Sequence, residues 1–280
     1  MIKVNGKEIE FTKFPNGETN MSHKSFPFIG LNQMIVVDFK YEEDGDLIKL
    51  MFVKRYLGEP REYAYCKLNI YYMPYSRMDR SENSSPFTLK YVSKFINDLN
   101  FDEVVLVEPH SNVTPALVDN SYSNYINFEL INKVIDEIEF DIEKDYIMFP
   151  DFGSQKRYEK MKFKNVIVAN KTRDFQTGEI TGLKLHSDWE ADGKKVLIVD
   201  DLSSYGTTFV KSSEAVKNEG FEEVYLLIAH AENAIFEGIL FDHIDKVFTT
   251  DSILTEQENG ENERFKNQLK VYKLEDILND

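Results

Sequence analysis

The chain has 280 residues, 33 of them Lys or Arg and 49 Asp or Glu, so its formal net charge is −16. A surface this acidic argues against a general binder of nucleic acid or of anionic membranes. The single cysteine, Cys66, excludes an intramolecular disulfide and a cysteine-based zinc site, and we expect it to be a small buried residue in or near a strand. No apolar run approaches the length of a membrane span and the first residues lack a signal-peptide core, so we expect a cytoplasmic protein.

The first part of the chain contains a β-α-β pattern. Lys67–Met73 is an apolar run typical of a buried strand, and Glu103–Val107 is another. Between them Ser85 and Pro86 predict the start of a helix, with Ser85 as the N-cap residue and an apolar stripe over residues 91–99. This order predicts neighbouring parallel strands joined by a helix.

The pattern recurs in the second part. Short apolar runs predict five strands, namely Tyr146–Phe149, Asn165–Ala169, Val196–Val199, Val224–Ala229 and Val247–Thr250. Helices are predicted at Ser154–Met161 and Gly206–Glu219, while the polar segment Asp119–Asp145 is expected to join two halves. We therefore predict two similar α/β domains with mostly parallel sheets flanked by helices, at residues 1–120 and 121–255. Residues 256–280 are expected to be a linker and a short terminal element packing back on the body.

The most informative stretch is Lys195–Thr208, in which a strand ends in Asp200 and Asp201 and a loop then enters a helix. In an α/β sheet, ligands bind at the carboxyl ends of strands and phosphate favours the start of the next helix. Two carboxylates suit vicinal sugar hydroxyls or hydrated Mg²⁺, so we interpret the stretch as a phosphoribose site. The alternative is an ordinary strand followed by helix-capping residues.

Five other segments could carry chemistry, and each has an ordinary structural interpretation. Phe14–Glu18 could be a simple turn, Arg77–Arg80 a surface salt-bridge cluster, and Asp151 a helix cap. His110 could be structural, and the loop that carries Lys171 and Arg173 could be merely solvated. Four of the five follow a predicted strand, where such a fold assembles its site.

In this order the segments resemble the ribose-phosphate pyrophosphokinase family, whose members make phosphoribosyl pyrophosphate (PRPP). The resemblance runs from about residue 12 to about residue 278 and implies a type I phosphoribosyltransferase-like fold. It implies catalytic roles for Lys171 and Arg173, metal binding by His110 and Asp151, and ATP binding by Phe14, Asn16, Glu18, Arg77, Asp79, Arg80 and His110. It implies ribose-phosphate binding by Asp200, Asp201, Ser203, Ser204, Tyr205, Gly206, Thr207 and Thr208.

Two departures from the family pattern affect the expected substrate. Met78 stands where the family's ATP motif usually has Gln, which removes one polar contact. In the phosphate loop, Tyr205 and Thr207 place bulk where small residues let backbone approach a phosphate. The loop could therefore hold a 5-substituted ribose phosphate such as ADP-ribose, with Tyr205 stacking on its distal part. Alternatively the loop has drifted and still binds ribose 5-phosphate.

The activity implied by the resemblance is transfer of ATP's β,γ-diphosphate to the 1-hydroxyl of a ribose 5-phosphate moiety, with Mg²⁺ and release of AMP. A phosphoribosyltransferase that consumes PRPP is the alternative enzyme, but it has no need of an ATP-handling first half. A non-catalytic regulatory subunit is the third possibility, and the presence of Lys171, Arg173 and His110 argues against it. The resemblance also implies a homodimer or higher homo-oligomer, because the Phe14–Glu18 turn would serve a neighbouring subunit's nucleotide.

Overall fold

The computed structural model describes residues 1–30, 33–58, 65–82, 84–173, 180–187, 194–255 and 265–279, and the side chains at 171–173, 180–182 and 279 lie outside that description. The chain divides into two compact units, Met1–Tyr125 and Ile126–Asp280. The sequence placed the boundary five residues earlier, after residue 120. Among the described residues, no helix combines the length and the apolar character needed to cross a lipid bilayer.

The first unit contains eight described strands and three described α-helices. The strands are β1 (Ile2–Val4), β2 (Lys7–Glu8), β3 (Phe11–Lys13), β4 (Thr19–Met21), β5 (Ile35–Phe39), β6 (Cys66–Ile70), β7 (Glu103–Val107) and β8 (Ser121–Asn124). The helices are α1 (Gly45–Gly58), α2 (Leu89–Asn97) and α3 (Val113–Leu117).

The main sheet of this unit has the order β2-β1-β5-β6-β7-β8, and β3 pairs with β4 in a separate hairpin. Strands β5 to β8 run parallel and follow one another in chain order. Right-handed crossovers that all advance in one direction place their helices on one face of the sheet. Accordingly, Leu50 of α1, Ile96 of α2 and Leu117 of α3 all pack with the strands in one apolar core.

The predicted β-α-β pattern is confirmed, because β6 and β7 pair in parallel. Cys66 is buried at the start of β6, as expected. The predicted N-cap at Ser85 is wrong, since α2 begins at Leu89 with Thr88 as its N-cap residue. The Ser85 backbone N–H donates instead to Glu82, and the chain makes one more turn before the helix starts.

The second unit contains seven described strands and five described α-helices. The strands are β9 (Tyr146–Phe149), β10 (Val166–Arg173), β11 (Ile180–His186), β12 (Lys195–Ser203), β13 (Glu223–Ala231), β14 (Lys246–Thr250) and β15 (Leu269–Tyr272). The helices are α4 (Asn127–Glu137), α5 (Phe152–Tyr158), α6 (Thr207–Asn218), α7 (Leu240–His243) and α8 (Leu274–Asn279).

The sheet of the second unit has the order β11-β10-β9-β12-β13-β14-β15, with β11 antiparallel at one edge and the other pairs parallel. The chain leaves β9 through α5 toward β10, and it leaves β12 through α6 toward β13. The two connections move in opposite directions from the adjacent strands β9 and β12. That pair is the topological switch point of the sheet, where ligands bind in open α/β folds.

Pairing extends two strands beyond their predicted ends. β12 continues to Ser203, because Leu202 and Ser203 pair with β13, so Asp200 and Asp201 lie inside the strand instead of after it. β10 likewise continues to Arg173, because it forms a hairpin with β11. The segment expected only to join the halves contains α4, whose Leu130 is fully buried.

Candidate active site

Asp151 directly follows β9 and is the N-cap residue of α5. Its Oδ1 accepts a hydrogen bond from the backbone N–H of Ser154 at 3.0 Å. This bond satisfies one of the N–H groups that the first turn of a helix leaves without an intrahelical partner. Helix capping is therefore realised at Asp151. A carboxylate accepts several hydrogen bonds, so capping is compatible with ligand binding at this exposed side chain.

Ser154 lies between two of the carboxylates that the sequence singled out. Its Oγ is 2.8 Å from Oδ1 of Asp200 and 3.3 Å from Oδ1 of Asp151. The serine is 5% exposed, so its hydroxyl is shielded from solvent. Ser154 thus brings Asp151 and Asp200 together across the switch point, although they are 49 positions apart in the chain.

Arg157 lies one helical turn after Ser154, so the two side chains share one side of α5. Its Nη1 lies 3.6 Å from Oδ1 of Asp201, and both side chains are largely buried. One short helix therefore presents a hydroxyl to Asp200 and a guanidinium to Asp201. The sequence did not show that Arg157 reaches Asp201, because the two residues are 44 positions apart in the chain.

Asn127 supports the same strand from the start of α4. Its Nδ2 donates to the backbone oxygen of Asp200 at 2.9 Å and to the hydroxyl of Tyr158 at 2.8 Å. Asn127 is fully buried. No sequence signal identified it, because it lies 73 positions before Asp200 in a segment expected only to connect the halves.

The acidic pair has a distinctive electrostatic setting. Burial raises the pKa of Asp200 well above its usual value, the neighbouring Asp201 carboxylate raises it further, and the Ser154 hydroxyl opposes the rise. Burial and a like charge both penalise the ionised form, whereas a donated hydrogen bond stabilises it. A sugar whose hydroxyls donate hydrogen bonds to this pair, or a bound cation, would stabilise the ionised form of Asp200 in the same way.

The loop after the acidic pair enters α6 through Gly206. The backbone of Gly206 has φ 79°, in the left-handed region that favours glycine. Its carbonyl oxygen accepts hydrogen bonds from the N–H groups of Phe209 and Val210, at 2.9 and 3.0 Å. This turn leads into the amino end of a 12-residue helix, and helix amino ends favour phosphate.

A second segment packs against the loop from the side of α7. A Cβ added at Gly206 would lie 2.9 Å from a methyl group of Leu240. A Cβ added at Gly238 would lie 2.6 Å from the backbone oxygen of Tyr205. These approaches leave little room for the loop to move toward α7, and Glu232 N–H ties its start by donating to Ser203 O at 2.9 Å.

The loop borders a pocket of about 240 Å³. Its lining includes Asp200, but not the buried Asp201, and the residues of the predicted ribose-phosphate loop, that is Ser203, Ser204, Tyr205, Gly206, Thr207 and Thr208. Tyr205 is 55% exposed beside this pocket. An exposed aromatic ring at a polar pocket offers a surface for stacking on a planar or sugar group.

Lys171 and Arg173 lie on β10, opposite Leu183 and Ile180 of β11. The prediction that they follow the strand is therefore wrong, because antiparallel pairing extends the strand through both. A register irregularity between Thr172 and Arg173 interrupts the ladder at this point. Their side chains lie outside the described residues, as does the segment 174–179.

In the first unit, Phe14–Glu18 forms the connection of the β3–β4 hairpin. Phe14 N–H donates to Glu18 O at 2.8 Å, and the Asn16 amide donates to the Glu18 carboxylate at 2.8 Å. Phe14 is 53% exposed at the tip. The structure thus presents an aromatic ring and a carboxylate together at the end of a hairpin.

The segment with Arg77, Asp79 and Arg80 does not follow β6 directly, because Arg77 lies seven residues beyond the end of that strand at Ile70. It begins at Tyr75, which has φ 63° and donates to Asp44 at 2.6 Å. Arg80 forms ion pairs with Glu82 at 3.0 Å and with Asp79 at 3.8 Å, so the salt-bridge alternative is partly realised. Arg77 is exposed in the same segment.

His110 follows β7 and precedes α3 in the first unit, and it is partly buried. The backbone turns away from the strand at Glu108, which has φ 39° and is fully buried. His110 therefore lies three residues beyond the carboxyl end of β7. Among the residues that the structure describes, no three or more His, Cys, Asp and Glu side chains are grouped to hold a metal ion.

Comparison with known proteins identifies the family. A ribose-phosphate pyrophosphokinase of Pyrococcus furiosus is 30% identical over 260 residues, covering 88% of this chain and 86% of that protein. One of Sulfolobus acidocaldarius is 26% identical over 255 residues, covering 88% of this chain and 84% of that protein. No family model matches the chain.

The fold agrees with this relationship. The structure of phosphoribosylpyrophosphate synthetase from Mycobacterium smegmatis superposes with a TM-score of 0.72 and 16% sequence identity, covering 97% of this chain and 88% of that one. At this identity the match shows the α/β fold with mostly parallel sheets. The family assignment comes from the curated relatives. The chain therefore belongs to the ribose-phosphate pyrophosphokinase family and is a transferase of the kinase type.

Proposed function

We propose that this enzyme transfers the β,γ-diphosphate of ATP to the 1-hydroxyl of a ribose 5-phosphate moiety and releases AMP. One observation carries the proposal: in a chain of this family, Asp200 and Asp201 at the switch point lead directly into the pocket-lining loop of α6. The acceptor's vicinal hydroxyls would bind the two carboxylates. Its 5-phosphate would bind the loop and the amino end of the helix.

The reaction needs alignment and neutralisation of charge more than covalent help from the protein. The acceptor's 1-oxygen bonds to the β-phosphorus while the bond from that phosphorus to the oxygen it shares with the α-phosphate breaks. AMP leaves with that oxygen, and the hydroxyl proton is released. Lys171 and Arg173 would neutralise the charge that spreads over the transferred group.

The described side chains fit Mg²⁺ at Asp151. Magnesium is usually held by one or two carboxylates together with substrate phosphates and water, so a larger protein ligand group is not required. Asp151 supplies an exposed carboxylate at the switch point. Bound there, the ion would neutralise charge on the phosphates of ATP. His110 remains our candidate second ligand for metal and ATP.

The ATP itself would be held by residues of the first unit, namely Phe14, Asn16, Glu18, Arg77, Asp79, Arg80 and His110. The exposed Phe14 ring and the Glu18 carboxylate suit an adenine, which offers a flat face and an amino donor. We propose that the hairpin serves the nucleotide of a second copy, which makes the enzyme a homodimer or larger. Light scattering would then give at least twice the chain mass, and a monomer at working concentration would contradict this assignment.

The acceptor is either ribose 5-phosphate or a 5-substituted form such as ADP-ribose. The exposed Tyr205 ring at the pocket favours an acceptor that extends beyond the 5-phosphate. A diphosphate ester could continue past the loop, with its distal part stacked on the tyrosine. We therefore expect Tyr205→Ala to weaken ADP-ribose binding more than ribose 5-phosphate binding.

AMP release tests the proposal. The enzyme is incubated with ATP and Mg²⁺ alone, with ribose 5-phosphate and with ADP-ribose, and AMP is separated by chromatography. We expect acceptor-dependent AMP with at least one sugar and a diphosphorylated sugar in equal amount. Absence of AMP with both acceptors would overturn the proposal. ADP accumulation would indicate transfer of a single phosphoryl group instead.

A further inference from the structure

We infer that Ser154 is a positioning residue for the acceptor's ribose, because its hydroxyl holds the Asp200 carboxylate in the orientation that receives the sugar. The inference rests on the proposed function and assigns a role in the site to Ser154, which the sequence indicated only as the start of a predicted helix. It depends on the contacts between α5 and β12.

Two donors converge on one oxygen of Asp200. Oδ1 accepts from Ser154 Oγ at 2.8 Å and from the backbone N–H of Asp201 at 3.0 Å. A carboxylate is planar, so fixing one oxygen also fixes the direction of the other. The orientation of Oδ2 toward a ligand is therefore set by a backbone group that cannot be mutated and by a side chain that can.

Ser154 is itself held in place. Its backbone N–H donates to Asp151 at 3.0 Å as the cap of α5, and its side chain is 5% exposed. A serine hydroxyl has one proton, and the shorter distance assigns it to Asp200, at 2.8 Å, instead of Asp151, at 3.3 Å. Ser154 thus donates through its backbone N–H to Asp151, the candidate metal ligand, and through its hydroxyl to Asp200, the candidate ribose ligand.

Removing the Ser154 hydroxyl should weaken binding of the acceptor sugar more than binding of ATP. Asp200, which is partly buried, would lose a donor, and its carboxylate would gain rotational freedom. Hydrogen bonds to charged groups are among the stronger ones in proteins. We expect acceptor affinity to fall about tenfold and no further, because the Asp201 N–H still donates to the same carboxylate oxygen.

The test compares three variants with the wild type by calorimetric titration with ribose 5-phosphate and, in parallel, with ADP-ribose, and by steady-state kinetics. Ser154→Ala should raise the acceptor Kd and KM about tenfold and change the KM for ATP less than about twofold. Ser154→Thr keeps the hydroxyl and should recover most of the affinity. Ser213→Ala removes another buried serine bond of the same unit, to His243 O at 2.7 Å, and should bind acceptor as the wild type does.

Each outcome is decisive. Wild-type acceptor affinity in Ser154→Ala would overturn the inference, while acceptor-dependent AMP release by the wild type would leave the proposed function standing. Equal losses for acceptor and ATP, or equal losses in Ser213→Ala, would also overturn it, because they indicate a general structural effect. If the wild type neither binds an acceptor nor releases AMP, the proposed function fails and the inference fails with it. Ser154→Cys, which keeps a side chain of similar size and replaces the hydroxyl with a much weaker donor, replaces Ser154→Ala if the latter does not fold.

Discussion

The guanidinium of Arg157 lies 3.6 Å from Oδ1 of Asp201, with side-chain exposures of only 15% and 8%. This pair joins α5 to β12 beside the candidate ribose site. An ion pair in such a position does not by itself imply stability, because both charges lose hydration. Breaking it by removing one partner is costly, since the other charge then remains buried without compensation.

Arg157→Met should therefore lower the free energy of unfolding by about 2 kcal/mol or more, measured by urea denaturation at neutral pH. The matched control is Lys94→Met, which removes the exposed pair between Lys94 of α2 and Asp98, the C-cap residue of that helix, 2.9 Å apart. Exposed helical pairs contribute only about 0.3–0.5 kcal/mol. Equal losses in the two variants would show that burial of the Arg157 pair has no energetic consequence.

The raised pKa of Asp200 predicts a pH-dependent difference between the wild type and Asp200→Asn. The folded chain binds a proton at Asp200 more tightly than the unfolded chain does, so the stabilisation from this group is full below the unfolded-state pKa of about 3.9 and is lost as pH rises through the folded-state pKa. The variant does not titrate there. Its free energy of unfolding, relative to the wild type, should therefore increase from pH 4 toward neutrality.

Urea unfolding across that pH range, without metal or nucleotide, measures this difference. Ser154→Ala should steepen the wild-type dependence, because the serine hydroxyl opposes the rise of the Asp200 pKa. A difference between Asp200→Asn and the wild type that stays constant with pH would contradict the assigned titration.

Lys171→Ala should lower turnover by about a hundredfold or more, with a much smaller change in nucleotide affinity, because its charge acts mainly on the transition state. Initial rates of AMP release at saturating acceptor give kcat and the KM for ATP. Lys184→Ala is the control on the same hairpin, where the exposed Lys184 pairs across the ladder with Asn170. Unchanged turnover in Lys171→Ala, or equal losses in both variants, would exclude the proposed role.

Gly238→Ala should displace the phosphate loop, because the new methyl group would lie 2.6 Å from Tyr205 O, closer than any ordinary contact. We expect the KM for the acceptor to rise about tenfold, since small displacements in a site can cost that much or more, with a smaller effect on ATP. Gly58→Ala is the control, because a methyl group there meets nothing within 4 Å. Similar acceptor KM values in the two variants would show that the loop tolerates the displacement.

Strand and helix identities were largely predictable because they depend on local patterns. Apolar runs such as Tyr146–Phe149 and Glu103–Val107 became strands with the predicted bounds, since strands buried on both faces need continuous apolar sequence. Element ends were less predictable. β12 absorbs Asp200 and Asp201 because its neighbour β13 supplies backbone partners beyond the apolar run, which the residues of β12 do not reveal.

The sequence by itself determined the chemistry available: an acidic pair before a glycine-containing loop, a capping aspartate after a strand, and cations scattered through an acidic chain. Only the tertiary structure decided which groups meet. Ser154 reaches Asp200 across 46 positions, because α5 follows β9 and β9 is the sheet neighbour of β12. Asn127 reaches the backbone of Asp200 across 73 positions from the start of α4. Hydrogen bonds act over about 3 Å, and sequence separation says nothing about which side chains come that close.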